Sequence, residues 1–218
     1  TELCWAYAML ATIETEHILR GDSVNLSAVY IGRKLKHYQK SFANAPSSQR
    51  AMGQTLLNMI QREGIVGYDV LPDDATDDLP TPQWVFMLGA RYTPQEFAHS
   101  VCAPDEYLAL TCQPDSPYYN KVEVVAPDNW EHNRLLNLPL DTLRAHIDKA
   151  LKHRHPVCWE SKGHVMAIVG LAHDETGKPY YVMKNSRGTD QPHDGLVYMS
   201  VRKMWKDMLA VYLTKDAW

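Results

Sequence analysis

The sequence is poor in three features that mark particular classes of protein: long apolar runs, charge of one sign, and cysteine. No run of eighteen apolar residues occurs in its 218 residues, and the start at Thr1 lacks the basic and apolar parts of a secretory signal. The formal net charge is -4, and acidic and basic residues are intermixed. The sequence therefore predicts neither nucleic acid nor a membrane surface as a partner.

The 4 cysteines are too few for a disulfide scaffold in a chain of this size. Cys102 and Cys112 could form one disulfide, and two reduced core thiols are an equally good interpretation. Cys158 lies between Val157 and Trp159 and is predicted to be a core strand residue. Cysteine usage leaves the cellular compartment undecided, and nothing in the sequence fixes the oligomeric state.

The chain is 45% hydrophobic, which is enough to form a substantial core. Helix signals dominate its first third. Residues 4–20 carry an apolar stripe that ends at Gly21, and residues 54–63 carry another that ends at Gly64. The acidic, proline-rich stretch 69–82 predicts a solvated connection. We therefore interpret 1–218 as one domain, with a helical lobe over 1–82 and a mostly β lobe over 83–218.

The remainder of the chain predicts two helices and a series of strands. Thr93 and Glu96 form a capping box with Pro94 between them, which predicts a helix to residue 100, and residues 139–152 have helical periodicity. Strands are predicted at 107–111, 121–125, 156–160, 164–172, 180–185, 196–200 and 209–214. Helices followed by antiparallel strands indicate an α+β class.

Cys4 stands in the first turn of the first predicted helix. A thiol is only a few per cent ionised near neutral pH, so a nucleophilic cysteine needs stabilisation of its anion. The unpaired N–H groups and the positive end of the dipole at a helix N-terminus favour a thiolate there, and a neighbouring imidazolium favours it further. The question is therefore which histidine reaches Cys4.

The segment from His164 to Asn185 predicts a β-hairpin with a polar turn at 173–178. The midpoint of the sequence between His164 and Asn185 lies inside that turn, as it must for two residues that face each other across a hairpin. The two side chains are therefore predicted to lie nearly opposite each other, close enough for an amide to hold an imidazole.

Three segments resemble the active-site signatures of the papain superfamily of cysteine peptidases, in family order: Cys4-Trp5-Ala6-Tyr7, then Gly163-His164-Val165-Met166-Ala167-Ile168-Val169-Gly170, then Lys184-Asn185-Ser186-Arg187-Gly188-Thr189. The resemblance implies a papain-like two-lobe fold with the active site in the cleft. It also implies hydrolysis of a peptide bond through a thioester acyl-enzyme. Cys4 would be the nucleophile, His164 its base, and Asn185 the residue that orients the imidazole.

Two further segments are similar to the bleomycin hydrolase and bacterial aminopeptidase C group within that superfamily. They are Ala126-Pro127-Asp128-Asn129-Trp130 and Asn137-Leu138-Pro139-Leu140-Asp141. This narrower resemblance implies an aminopeptidase that acts on peptide or protein substrates, and the sequence leaves endopeptidase activity open.

The sequence departs from the family pattern around the substrate. The glutamine that usually completes the oxyanion hole would lie upstream of Thr1, so only the backbone N–H of Cys4 is assigned to the hole. Gly53 is the best counterpart of the glycines that bind substrate backbone, and Arg187 replaces the usual tryptophan after Asn185-Ser186. We interpret Gly53, Gly163 and Arg187 as the candidate substrate-binding residues.

A second hypothesis competes with the active peptidase. These departures are also typical of a catalytically weak pseudoenzyme that binds peptides in the same cleft. No cofactor or metal is indicated, because the pair His153 and His155 lacks further ligands at metal spacing and is predicted to lie in a solvated loop. The acidic run in 69–82 lacks the oxygen-ligand pattern of a calcium loop.

Overall fold

The computed structural model describes residues 2–40, 49–113 and 135–218. Local signals explain where two of its helices begin. The Ser27 side chain accepts a hydrogen bond from the Tyr30 N–H, and Thr93 and Glu96 form the reciprocal capping box that the sequence predicts. The helices are α1 (Cys4–Leu19), α2 (Ala28–Gln39), α3 (Gly53–Glu63), α4 (Pro94–Val101), α5 (Leu140–Lys152) and α6 (Val201–Asp207).

The described strands form a small hairpin and one seven-stranded sheet. The hairpin consists of β1 (Val85–Met87) and β2 (Ala90–Tyr92), and the sheet has the order β4-β3-β9-β5-β6-β7-β8. Its pairs are antiparallel except for β3 with β4. Its strands are β3 (Tyr107–Thr111), β4 (Leu136–Asn137), β5 (Val157–Ser161), β6 (Val165–His173), β7 (Pro179–Lys184), β8 (Leu196–Ser200) and β9 (Met208–Thr214).

The sheet is covered on both faces, and this places α1 against its centre. Successive residues of β5 and β9 point to opposite sides: Cys158 and Tyr212 join the core of the N-terminal helices, whereas Trp159 and Val211 join a second core. Helix α1 packs on β5, β6 and β9, and α5 packs on β5 and β6. Because α1 is buried on nearly all sides, its first turn is fixed beside the sheet.

The α+β prediction is confirmed, and the differences are local. Helix α5 and strands β3 and β9 occur close to their predicted bounds, and residues 69–82 form a connection without helix or strand. The β1–β2 hairpin and α6 were not predicted, because both are short and lack a clear periodicity. The predicted strand at 121–125 lies outside the described residues. The lobe boundary near residue 82 stays a prediction. Helix α4, which follows that boundary in the sequence, packs on α3, which precedes it.

The described part of the chain contains no helix with both the length and the apolar character needed to cross a bilayer.

Gly64→Ala is expected to destabilise the fold more than Gly177→Ala. Both glycines have positive φ, 78° and 79°, but a Cβ at Gly64 would overlap the backbone of Pro94, whereas a Cβ at Gly177 meets open space. We expect a loss of about 1 kcal/mol for Gly177→Ala and at least about 2 kcal/mol more for Gly64→Ala. Urea unfolding of both variants measures the difference, and equal losses would contradict the packing argument.

Candidate active site

Cys4 is the first residue of α1 and is buried. The backbone N–H groups of a first helical turn have no partners within the helix, so they and the helix dipole favour negative charge on the sulfur. The start of the helix is anchored by the adjacent Trp5, which is 0% exposed and donates its indole N–H to the Gln49 carbonyl at 2.7 Å. The sulfur therefore has a fixed position.

His164 immediately precedes β6 and is held at both its backbone and its ring. Its carbonyl accepts two hydrogen bonds from Ser161, one from the N–H and one from the hydroxyl, both at 2.9 Å. Its ring atom Nε2 lies 2.8 Å from the Asn185 Oδ1. Since an amide oxygen only accepts, Nε2 carries the proton, and Nδ1 is left for the hydrogen bond with the Cys4 sulfur.

Asn185 follows β7, at the open end of the same hairpin. Its N–H donates to the Gly195 carbonyl at 3.0 Å, and its Oδ1 also accepts from the Ser186 N–H at 2.8 Å. These bonds fix the amide so that its oxygen faces His164. The contact between imidazole and amide that the hairpin pattern predicted is present.

The register of the hairpin differs from the prediction. Ala167 pairs with Lys184, so Asn185 lies diagonal to His164 rather than opposite it. The ladder shifts at a bulge between Ile168 and Gly170, and a bulge of this kind adds a residue to one strand. A diagonal pair is still within reach of long side chains, so the contact survives the shift.

The environments of Cys4 and His164 favour the ion pair. Burial raises the pKa of the Cys4 thiol, but the hydrogen bond with His164, the N–H of Val165 and the charge of His164 lower it, and the net effect is a lowering from 9.0. The hydrogen bond with Cys4 raises the pKa of His164 above 6.5, against burial, and Asn185 adds to the rise. Each group stabilises the charged form of the other.

The other cysteines have the opposite perturbation. Burial raises the pKa of Cys102 to about 12, that of Cys158 well above 9.0, and that of Cys112 above 9.0. All four thiols are free, so the alternative of a bridge between Cys102 and Cys112 is not realised in this structure. Cys4 is thus chemically distinct among the four.

The structure places the three candidate substrate-binding residues in different surroundings. Gly163 and Arg187 are exposed; Gly163 immediately precedes His164, and Arg187 follows Asn185 and Ser186 in the sequence. Gly53 is buried, and its N–H donates to the Glu160 Oε2 at 3.2 Å. A Cβ on Gly53 would approach the Tyr212 ring to 2.7 Å, so packing requires glycine there. Substrate binding by these residues stays a prediction.

A cavity of about 430 Å³ adjoins Asn185. Its volume is in the range of ligand pockets. Burial raises the pKa of Glu14 in its wall, although the Leu26 N–H, at 2.8 Å, and the charge of Lys184 lower it. Burial and a hydrogen bond with Asp73 raise the pKa of Tyr7. The cavity is large enough to receive a small ligand or part of a peptide beside the His164–Asn185 pair.

Glu160 and Ser161 are site neighbours that the sequence reasoning missed. Glu160 is 2% exposed and accepts hydrogen bonds from Gly53 and from the Tyr212 hydroxyl, the latter at 2.9 Å. Burial raises its pKa to about 7, although both hydrogen bonds lower it. The sequence signal for Glu160 was a lone acidic residue at the end of an apolar strand. The sequence did not show which hydrogen-bond donors would contact its carboxyl group.

The two histidines of the H-x-H pair have separate partners. His153 is exposed and its Nδ1 contacts the Lys149 carbonyl at 2.9 Å, whereas His155 is half-buried and donates to both oxygens of Glu16 at 3.0 and 2.9 Å. The solvated-loop prediction is therefore wrong for His155, because the buried Glu16 carboxylate draws it inward. Within the described ranges, no group of three or more potential metal ligands occurs.

Iodoacetamide at pH 6 is expected to label Cys4 before Cys102, Cys112 and Cys158, since the thiolate is the reactive form and only Cys4 has a lowered pKa. Removing the imidazole with His164→Ala should slow labelling of Cys4 at pH 6 by at least about tenfold. Mass spectrometry of digests locates the label. Uniform slow labelling of all four cysteines in the unmodified protein would contradict the ion pair.

Solved structures resemble this chain over almost its whole length, although no protein-family model and no curated protein matches it. A mite allergen structure, from work on Blo t 1 and Der p 1, has a TM-score of 0.56 at 15% identity, covering 97% of this chain and 63% of its own. PepW from Lactobacillus rhamnosis has a TM-score of 0.65 at 15% identity, and the match covers 99% of this chain and 78% of PepW. Bromelain from Ananas comosus, in complex with the E64 inhibitor, has a TM-score of 0.53 at 15% identity, and the match covers 97% of this chain and 88% of bromelain.

This chain thus spans less than two thirds of the mite allergen structure and more of the other two. The structural neighbours are papain-like cysteine proteases. With its helices and a largely antiparallel sheet, the chain has the α+β, two-lobe papain-like fold of these neighbours.

Proposed function

We propose that this protein is a cysteine peptidase that hydrolyses peptide bonds through a thioester acyl-enzyme. The observation that carries the proposal is the hydrogen bond between Cys4 and His164, with the His164 ring held by Asn185 at 2.8 Å. The lowered pKa of the thiol and the raised pKa of the imidazole both favour the thiolate–imidazolium form of the pair over the neutral form. A peptidase of this type needs such a pair.

Acylation begins when the Cys4 thiolate attacks the carbonyl carbon of the scissile bond. A carbon–sulfur bond forms, and the carbonyl π electrons move to the oxygen, where the Cys4 backbone N–H at the head of α1 donates a hydrogen bond. The oxyanion then collapses and the carbon–nitrogen bond breaks. The His164 imidazolium transfers its proton to the leaving nitrogen, which departs as an amine.

Deacylation uses the same groups in reverse. Neutral His164 takes a proton from water, and the hydroxide attacks the thioester carbon. The carbon–sulfur bond breaks, which releases the acid product and restores the thiolate–imidazolium pair. Asn185 keeps Nε2 protonated throughout, so that Nδ1 faces the reacting atoms.

Aminopeptidase specificity is the finer part of the proposal. It rests on the similarity of residues 137–141 to the bleomycin hydrolase and aminopeptidase C group, and the companion segment at 126–130 lies outside the described residues. A pair of fluorogenic peptides, one with a free α-amine and one with an acetylated α-amine, separates the alternatives. An aminopeptidase cleaves the first and spares the second, whereas an endopeptidase cleaves both.

Peptide binding without turnover is the second candidate function. The observation that favours it is the Gly53 N–H, which is engaged by Glu160 rather than available to substrate backbone. Fluorescence anisotropy of a labelled peptide, followed by mass analysis of that peptide, distinguishes the two functions. Saturable binding with no cleavage by the unmodified protein would support a binding module and contradict the peptidase.

Cys4→Ala is expected to reduce kcat by at least about 10³-fold, because the nucleophile is lost. Cys112→Ala is the matched control, since that thiol is partly buried and its pKa is raised. It should retain full activity. The measurement is steady-state hydrolysis of a fluorogenic peptide, together with E64 labelling of the unmodified protein. Peptidase activity that survives in Cys4→Ala would end this proposal.

Asn185→Ala is expected to lower kcat by about 10²-fold with little change in KM. The reason is that the ring of His164 loses the acceptor that fixes its tautomer, while the substrate contacts remain. Separate measurement of kcat and KM over pH 5 to 9 tests this expectation. An increase in KM alone would show that Asn185 binds substrate instead.

A further inference from the structure

A buried carboxylate links α3 to β5 and β9 near the end of β5, where Glu160 pairs with Val165. The Glu160 Oε2 accepts hydrogen bonds from the Gly53 N–H, at the start of α3, at 3.2 Å and from the Tyr212 hydroxyl, on β9, at 2.9 Å. Tyr212 is 0% exposed, and its ring occupies the space that a side chain at position 53 would need. One oxygen thus ties α3, β5 and β9 together.

The same strand end holds both members of the pair. Glu160 lies opposite Val165 in the ladder, and the Val165 N–H donates to the Cys4 sulfur. The next residue, Ser161, donates two hydrogen bonds to the His164 carbonyl. The positions of the sulfur and the imidazole therefore both depend on where residues 160 and 161 lie.

A bulge in β9 lies at this same point. Glu160 pairs with Ala210, but Ser161 pairs with Met208, so the register of the β5–β9 ladder shifts between residues 160 and 161. The Leu209 carbonyl accepts a hydrogen bond from the Thr111 hydroxyl at 2.8 Å. Bulges bend the strand that carries the extra residue, and this one lies beside Ser161, which bonds His164.

Packing alone does not account for a carboxyl group at position 160. Burying it without a counter-charge is unfavourable. The ion pairs among the described residues give it no cationic partner, and the titratable groups facing it are the Tyr212 hydroxyl and the Cys158 thiol. An apolar residue would fill the volume, but it would remove the acceptor that the Gly53 N–H and the Tyr212 hydroxyl share. The group acts as a shared acceptor for both.

We propose that Glu160 is a positioning residue for the cysteine–histidine pair, acting through Val165 and Ser161 by anchoring the end of β5 to α3 and β9. This inference rests on the proposed peptidase function. Glu160 touches neither the sulfur nor the imidazole, and its effect passes through the backbone of its neighbours.

The test compares Glu160→Ala, Glu160→Gln and a control, Glu16→Ala, in the full chain. Glu16 is also a buried hydrogen-bonded carboxylate, 1% exposed, but it lies three turns further along α1. The readouts are the rate of Cys4 alkylation by iodoacetamide at pH 6 and at pH 9.5, with the label located by mass spectrometry, and circular dichroism to show that each variant is folded. A change in the Cys4–His164 pair alters the ratio of the two rates, whereas a change in access to the sulfur slows both rates alike.

Glu160→Ala is expected to slow Cys4 alkylation at pH 6 by at least about tenfold and at pH 9.5 by no more than about threefold. Glu160→Gln keeps an acceptor oxygen and should stay within about threefold of the unmodified protein at both pH values. Glu16→Ala should change neither rate. A folded Glu160→Ala that reacts at the unmodified rate at pH 6 overturns the proposal, as does an equal loss in Glu16→Ala.

If Glu160→Ala does not fold, Ser161→Ala and Tyr212→Phe decide the question. Each removes one hydroxyl donor and leaves the backbone contacts in place. A loss of about threefold or more at pH 6 in either variant supports the proposal, and unchanged rates in both overturn it. Slow alkylation of Cys4 in the unmodified protein would overturn the peptidase function and this inference together. If Cys4 reacts fast in the unmodified protein and equally fast in Glu160→Ala, only this inference is overturned.

Discussion

The hydrogen bond between the Cys4 sulfur and the His164 imidazole is the interaction on which the proposed chemistry of this molecule depends. Neither group is unusual in isolation: a buried thiol resists ionisation, and a partly buried imidazole resists protonation. In contact, each offsets the burial of the other. The fold maintains that contact by placing the head of α1 against the start of β6, with α1 buried between the other N-terminal helices and the sheet.

Sequence reasoning was strongest where the determining interactions are local. The capping box of Thr93 and Glu96 sets the start of α4 because both partners lie within one turn. The approach of His164 to Asn185 could be predicted because a hairpin brings its two ends together whatever its detailed register. The bulge near Gly170 could not be predicted, since an added residue in one strand leaves no clear sequence pattern.

Residues whose roles depend on distant partners were harder to interpret. Gly53 was interpreted as the counterpart of a substrate-binding glycine, but the sequence did not reveal that the Tyr212 ring fills the space beside it. His155 was assigned to solvent because the carboxylate that attracts it, Glu16, is distant in sequence. In both cases the residue type was informative and the identity of the contact was not, because tertiary packing selects the partner.

The central position of β9 in the sheet has a consequence for synthesis of the chain. This strand lies between β3 and β5 and packs against α1, so the earliest helix is completed by a segment near residue 210. Contacts of such large sequence separation form late. A nascent chain therefore exposes the apolar surface of α1 until β9 has left the ribosome, and the surroundings that lower the pKa of the Cys4 thiol form only once the sheet packs on that helix.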